Sequence, residues 1–207
     1  MQFLCIVIGY LCGCLLTADV VARYKTGKSA FKIGTGNPGM ANILEQLGAK
    51  WAAITLLGDV FKTVLPCLLC RYLLFKSLGP SAILYAGLGT ALGHGFPFWH
   101  KFRGGRSVAV ICMYIVLLSP LWGLIANLTG LCIVIATGYL ALGALAIPTL
   151  FLIPVFLNFG LEAGFVALAG VALVFFLHRD SIRRIANKVE KKVDLLAKFS
   201  SENSALR

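Results

Sequence analysis

Residues 93–108 read GHGFPFWHKFRGGRSV, which sets His94, His100, Arg103 and Arg106 around the pair Gly104-Gly105. Arginine presents a planar fork that matches two phosphate oxygens, and glycine lets the backbone approach a ligand closely. Ser107 then opens an apolar run, so cations and free backbone N–H groups gather where a helix starts, a natural anion site. A histidine beside two arginines, as His94 is, could hold a phosphate or move a proton.

Two other polar segments share this character. Gly34-Thr35-Gly36-Asn37-Pro38-Gly39 is rich in residues that permit left-handed backbone, and successive free N–H groups there can form an anion nest. His178-Arg179-Asp180-Ser181 supplies another histidine and begins a basic tail. Asp59 and Lys62 stand three residues apart inside an apolar run, on one helical face, and are expected to form a structural intramembrane pair.

The elements that carry these groups must be membrane helices. The chain is 59% hydrophobic and 13% charged, with a mean hydropathy of +0.88, outside the range of soluble domains. The pattern predicts an all-α polytopic membrane protein of about seven transmembrane helices, at 3–22, 51–74, 81–98, 107–126, 129–143, 146–158 and 162–178. Within 129–178 the divisions rest on Pro148, Pro154 and Gly160 as punctuation. Residues 1–178 then form one transmembrane domain with motif loops 23–50 and 99–107. Residues 179–207 form a basic cytoplasmic tail, read as an interfacial amphipathic helix that includes Leu195 and Leu196.

The net charge of +11 is unevenly spread. Sixteen of the nineteen Lys and Arg lie in 23–50, 101–106 and 179–207. An odd number of spans puts all three segments on one face, which the positive-inside rule makes cytoplasmic, with the N-terminus outside. The same clustering fits a bilayer carrying anionic lipid and argues against nucleic acid as a partner. All seven cysteines fall in apolar runs, as small buried hydrophobes do, and no metal site is expected.

The order of these segments resembles the bacterial acyl-phosphate:glycerol-3-phosphate acyltransferase family of the PlsY type, over nearly the whole chain. Residues 34–48 resemble its GSGNxGATNxxRxxG motif and 59–62 the start of its DxxKG. Residues 93–108 resemble GHxFPxxxxFKGGKGV, and 178–190 resemble HRxNIxRLxxGxE. The resemblance implies transfer of a fatty acyl group from acyl phosphate to the 1-hydroxyl of glycerol 3-phosphate, giving lysophosphatidic acid in phospholipid synthesis at a bacterial inner membrane. It implies no cofactor.

On this resemblance Thr35, Gly36, Asn37, Asn42, Arg103, Gly104, Gly105, Arg106 and Ser181 would bind the phosphates, and His178 or His94 would be catalytic. The chain also departs from the motifs. Glu45 stands where the family has Arg, Arg103 and Arg106 where it has Lys, Ser107 and Lys188 where it has Gly, and Ser181 where it has Asn. The reversal of charge at Glu45 requires that the carboxylate point away, pair with a cation, or serve another substrate. Two alternatives follow: a diverged relative that binds phosphorylated lipid precursors with altered or lost catalysis, and a small transporter.

Overall fold

The computed structural model describes residues 1–193, which are helical without strands. α1 (Gln2–Gly13) and α2 (Thr17–Thr26) are separated by a short break and lead to a loop and α3 (Met40–Leu47). α4 (Ala49–Leu68) runs into a wider turn over Leu69–Leu74, and α5 (Ser81–Gly95) follows. The loop 96–107 leads to α6 (Val108–Leu118), α7 (Pro120–Thr137), α8 (Leu140–Leu177) and the short α9 (Arg179–Ala186). Gln2–Thr26, Ala49–Leu74, Pro120–Thr137 and Leu140–Leu177 are long and apolar enough to cross a membrane. Leu57, Phe61, Leu73, Leu157 and Phe165 face outward, while Asp59, Lys62 and His94 are buried inside. Apolar outside and polar within is the arrangement that lipid demands.

α5 is the axis of the bundle, buried along almost its whole length. Its closest neighbour is α1, and glycine sets the approach. A Cβ on Gly9 would lie 2.1 Å from the Ala86 carbonyl oxygen, and one on Gly13 would lie 2.2 Å from that of Thr90. Reciprocally, a Cβ on Gly89 would lie 2.2 Å from Ile6 O, and one on Gly93 would lie 2.1 Å from Tyr10 O. Two glycine pairs at four-residue spacing thus face each other, the small-residue contact that lets membrane helices touch backbone to backbone. Gly93 immediately precedes His94, so this contact fixes the height of that histidine.

Several expected boundaries move. The segment expected at 107–126 ends at Leu118, because Ser119 is extended (φ −147, ψ 96) and Pro120 starts α7 at a first-turn position that loses no hydrogen bond. The segments expected at 129–143 and 146–158 give way to 120–137 and an uninterrupted stretch over 140–159. Pro148 and Pro154 lie inside that stretch without ending it. The break comes at Gly160 (φ 83, ψ −178). A Cβ on Gly164 would sit 2.1 Å from the Phe156 ring, whereas residues eight apart in a straight helix are about 12 Å apart, so the chain bends sharply there.

The tail also differs from expectation. α9 stops at Ala186, where Lys188 turns left-handed (φ 59) and the N–H groups of Lys188 and Val189 donate back to Ile185 and Arg184. Val189, Lys191 and Lys192 therefore lie beyond the helix, and Leu195 and Leu196 lie outside the described residues. Chain direction brings 27–39, 96–107, 138–139 and 178–193 to one end of the bundle: Phe31 stacks on His100 at 3.8 Å, and the Val193 N–H donates to Gly138 O at 2.8 Å. Gly13→Ala or Gly93→Ala should force α1 from α5 and lower stability by about 1–3 kcal/mol, read as the unfolding temperature in detergent.

Candidate active site

The site is assembled around one buried ammonium. Lys62 Nζ forms an ion pair with Asp59 Oδ1 and hydrogen bonds to the Leu15 carbonyl and to His94 Nδ1, each at 2.7 Å. Two of its donors are thus engaged across helix boundaries, and the carboxylate on its own helix meets the charge. The Leu15 carbonyl is available because α1 has ended: Asp19 N–H, its partner in a continuous helix, donates to Leu16 O instead. His94 Nδ1 must accept, since lysine only donates. The imidazole therefore carries its proton on Nε2. The expected Asp59–Lys62 pair is present, and it also orients His94.

Loop 96–107 wraps that ring. Gly105 N–H donates to His94 O at 2.9 Å, and a Cβ on Gly105 would meet His94 Nε2 at 2.1 Å. One on Gly104 would meet His94 O at 2.0 Å. Both glycines are thus required by close packing on His94, in addition to any ligand. Ser107 closes the loop in a left-handed conformation (φ 58) and donates from Oγ to Ala91 O at 2.7 Å. Lys188 (φ 59) is another position where the resembled motifs have Gly and this chain does not. Each left-handed non-glycine residue costs about 1–2 kcal/mol, and at Ser107 the side-chain bond offsets part of it.

The first loop is tied down by two residues. Asp19 on α2 accepts from Ala30 N–H at 2.8 Å and from Arg23 at 2.7 Å. Asn42 on α3 accepts from Thr35 N–H at 2.9 Å and donates to Ile33 O at 3.1 Å. Asn42, expected to touch phosphate, instead spends its amide holding the loop. Asp19 was not anticipated, although its four-residue spacing from Arg23 on a membrane-end helix is a readable signal.

At the third segment, His178 is 2% exposed and donates from Nδ1 to Val174 O at 2.9 Å, which leaves Nε2 with a lone pair. Burial, with the nearby Arg106 charge, pushes this imidazole from 6.5 down to about 4. Arg184 pairs with Glu190 and donates to Ser181 Oγ at 3.0 Å. Burial would raise the Glu190 carboxyl, but Arg184 and Ser181 outweigh it and hold it low. Burial lowers the Arg106 guanidinium, opposed by the Glu190 charge.

A cavity of about 490 Å³ joins these parts. Asn37, Asp59, His94, Arg106, Ser107 and His178 line its polar end. Its other end is apolar, between α6, α7 and α8, and Asn127 on α7 is the polar exception there. Of the residues expected to bind substrate, Asn37 and Arg106 reach this cavity. Gly104 and Gly105 pack beneath His94. Thr35, Gly36, Asn42, Arg103 and Ser181 do not line it; Thr35 and Arg103 are exposed, and Ser181 supports Arg184. His94 is not a free base, because Nδ1 already accepts from Lys62. Glu45 pairs with Lys191 of the C-terminal segment. Of the three possibilities raised for its carboxylate, a cation partner is the one observed.

Lys62→Met should cost about 3–5 kcal/mol by stranding the Asp59 carboxylate, and Asp59→Leu combined with Lys62→Met should recover most of it, by thermal unfolding in detergent. The sign at His178 is also fixed. Its folded value lies below the unfolded one, so the unfolded chain binds more protons between 6.5 and about 4. Stability falls as pH drops through that window, by up to about 1.4 kcal/mol per unit, and His178→Gln should flatten the slope.

Comparison with known proteins bears on the chemistry. The profile of the family described as glycerol-3-phosphate acyltransferase matches residues 3–188. Glycerol-3-phosphate acyltransferase 1 of Lactobacillus johnsonii is 38% identical over 195 residues, covering 94% of each chain. The glycerol-3-phosphate acyltransferase of a Thermoanaerobacter species is 32% identical over 189 residues, covering 90% of this chain and 93% of its own. Among solved structures, the crystal structure of PlsY (YgiH), an integral membrane glycerol 3-phosphate acyltransferase in its glycerol 3-phosphate form, superposes with a TM-score of 0.84. It is 26% identical over 96% of this chain and 98% of that one. With a matching profile along almost its full length and relatives above 30% identity, this chain belongs to the glycerol-3-phosphate acyltransferase family.

Proposed function

We propose that this protein transfers a fatty acyl group from acyl phosphate to the 1-hydroxyl of glycerol 3-phosphate, releasing lysophosphatidic acid and phosphate. The observation that carries the reading is one cavity in which Arg106, His94 and His178 share walls with Leu131, Val134 and Ile147. A ligand with an anionic head and a long apolar tail fits both ends at once. Relatives named glycerol-3-phosphate acyltransferase, and neighbouring PlsY structures in glycerol 3-phosphate and lysophosphatidic acid forms, support the acceptor and product.

In this mechanism Arg106 and the N–H groups that open α6 beside it hold the phosphates and offset charge on the acyl oxygen as the hydroxyl attacks. His94 contributes Nε2–H as a donor. A new ester C–O bond forms and the C–O bond to phosphate breaks, with phosphate leaving as an anion. His178 Nε2 accepts a hydrogen bond from the attacking hydroxyl. Its imidazole, near 4, is a weaker base than a phosphate monoester, whose second pKa is about 6. The proton therefore ends on the leaving phosphate, and no covalent enzyme intermediate is needed.

We further propose seven traversals, formed by 2–26, 49–74, 81–95, 108–118, 120–137, 140–159 and 161–177, with the N-terminus outside and the site opening to the cytoplasm of a bacterial inner membrane. The gathering of loops 27–39 and 96–107 with the 178–193 segment at one end supports this, since those segments hold most of the positive charge and would meet anionic lipid. The pairing of Glu45 with Lys191 gives no support to altered chemistry, and no observation favours a transporter.

Purified protein given acyl phosphate and glycerol 3-phosphate should form lysophosphatidate; no product from a folded sample would defeat the proposal. Arg106→Ala should lower kcat/KM by about 10²–10³ while leaving the unfolding temperature nearly unchanged.

A further inference from the structure

The lining at the apolar end of the cavity stops at a common depth. On α6 the lining runs from Val108 to Met113, on α7 from Val134 back to Asn127, and on α8 from Leu140 to Ile147. The α7 and α8 runs each stop seven residues below the polar end, about 10 Å. Asn127 Nδ2 donates to Cys112 O at 3.2 Å and to Gly123 O at 2.8 Å, which stitches α6 to α7 at that depth. Both amide hydrogens are thereby spent, and Oδ1 is the remaining polar atom that this residue brings to an otherwise apolar wall.

The side between α7 and α8 is shut at a similar level. A Cβ on Gly130 would lie 2.3 Å from Ile147 Cγ1, and one on Gly143 would lie 2.4 Å from Val134 Cγ2 and 2.5 Å from Gly130 O. Helices in such close contact cannot part to admit more chain without losing that packing.

We propose that Met113, Asn127 and Ile147 form a floor that determines the acyl-chain length this protein accepts. The inference rests on the acyl-transfer reading above. Each methylene buried before the floor gains roughly fourfold in affinity, from about 0.8 kcal/mol per CH₂. A methylene driven against Asn127 gains nothing, because it removes water from an amide oxygen without replacing the hydrogen bond.

The test is kcat/KM for a homologous series of saturated acyl phosphates. Wild type should climb by roughly fourfold per methylene and then level or fall. Met113→Ala and Ile147→Ala should move the break to longer donors, and Met113→Phe to shorter ones, with KM for glycerol 3-phosphate unchanged. Met113 is only half-buried, so its variants keep the test alive if Ile147→Ala fails to fold. An identical break in wild type and in folded Met113 variants would overturn the floor. Thermal shifts with a matching series of lysophosphatidates report the same break without turnover. A chain inactive with every donor but retaining that shift would refute the acyl-transfer reading and leave the floor standing.

Discussion

One ammonium in the middle of the bundle governs the rest. A lysine at 2% exposure is tolerable only if its charge is met, and Lys62 meets a carboxylate on its own helix, a carbonyl at the end of α1 and an imidazole on α5. A buried ion pair adds little net stability compared with a packed apolar core. What it supplies is geometry. The three partners come from α4, α5 and the break that follows α1, and satisfying them together fixes where α1 stops, how α4 is rotated, and which nitrogen of His94 bears hydrogen.

Small residues carry that geometry outward. The glycine pairs of α1 and α5 bring the two backbones into contact, and His94 follows directly after the last of them. Gly104 and Gly105 then fold the second loop onto the ring, so that Arg106 emerges beside His178 at the polar end of the cavity. Ser107 and Lys188 hold left-handed backbone at some energetic cost, and the Ser107 hydroxyl recovers part of it through Ala91.

Much of this was legible in the chain. Hydropathy and charge clustering lead to a helical membrane protein, and the polar segments around His94, Asn37 and His178 do meet. The helix ends were harder. Ser119-Pro120 sits inside an unbroken apolar run, where only the preference of proline for a first turn marks a start, while Pro148 and Pro154 lie within a helix without ending it. Individual roles were harder still. Asn42 and Ser181 look like ligand contacts in one dimension, yet their side chains are consumed by Thr35 and Arg184, and nothing local announces that. The reach of Lys62 to Leu15 and His94, 47 and 32 residues away, exists only after folding.

The position of Asp59 one turn before Lys62 also bears on biogenesis. When α4 first enters the lipid, neither Leu15 nor His94 need be in place, but the carboxylate travels on the same helix and can neutralise the ammonium at once. The local pair thus makes insertion of this segment affordable, and the two long-range acceptors reward its later docking against α1 and α5. A lysine placed here without its acidic neighbour would meet the hydrocarbon bare.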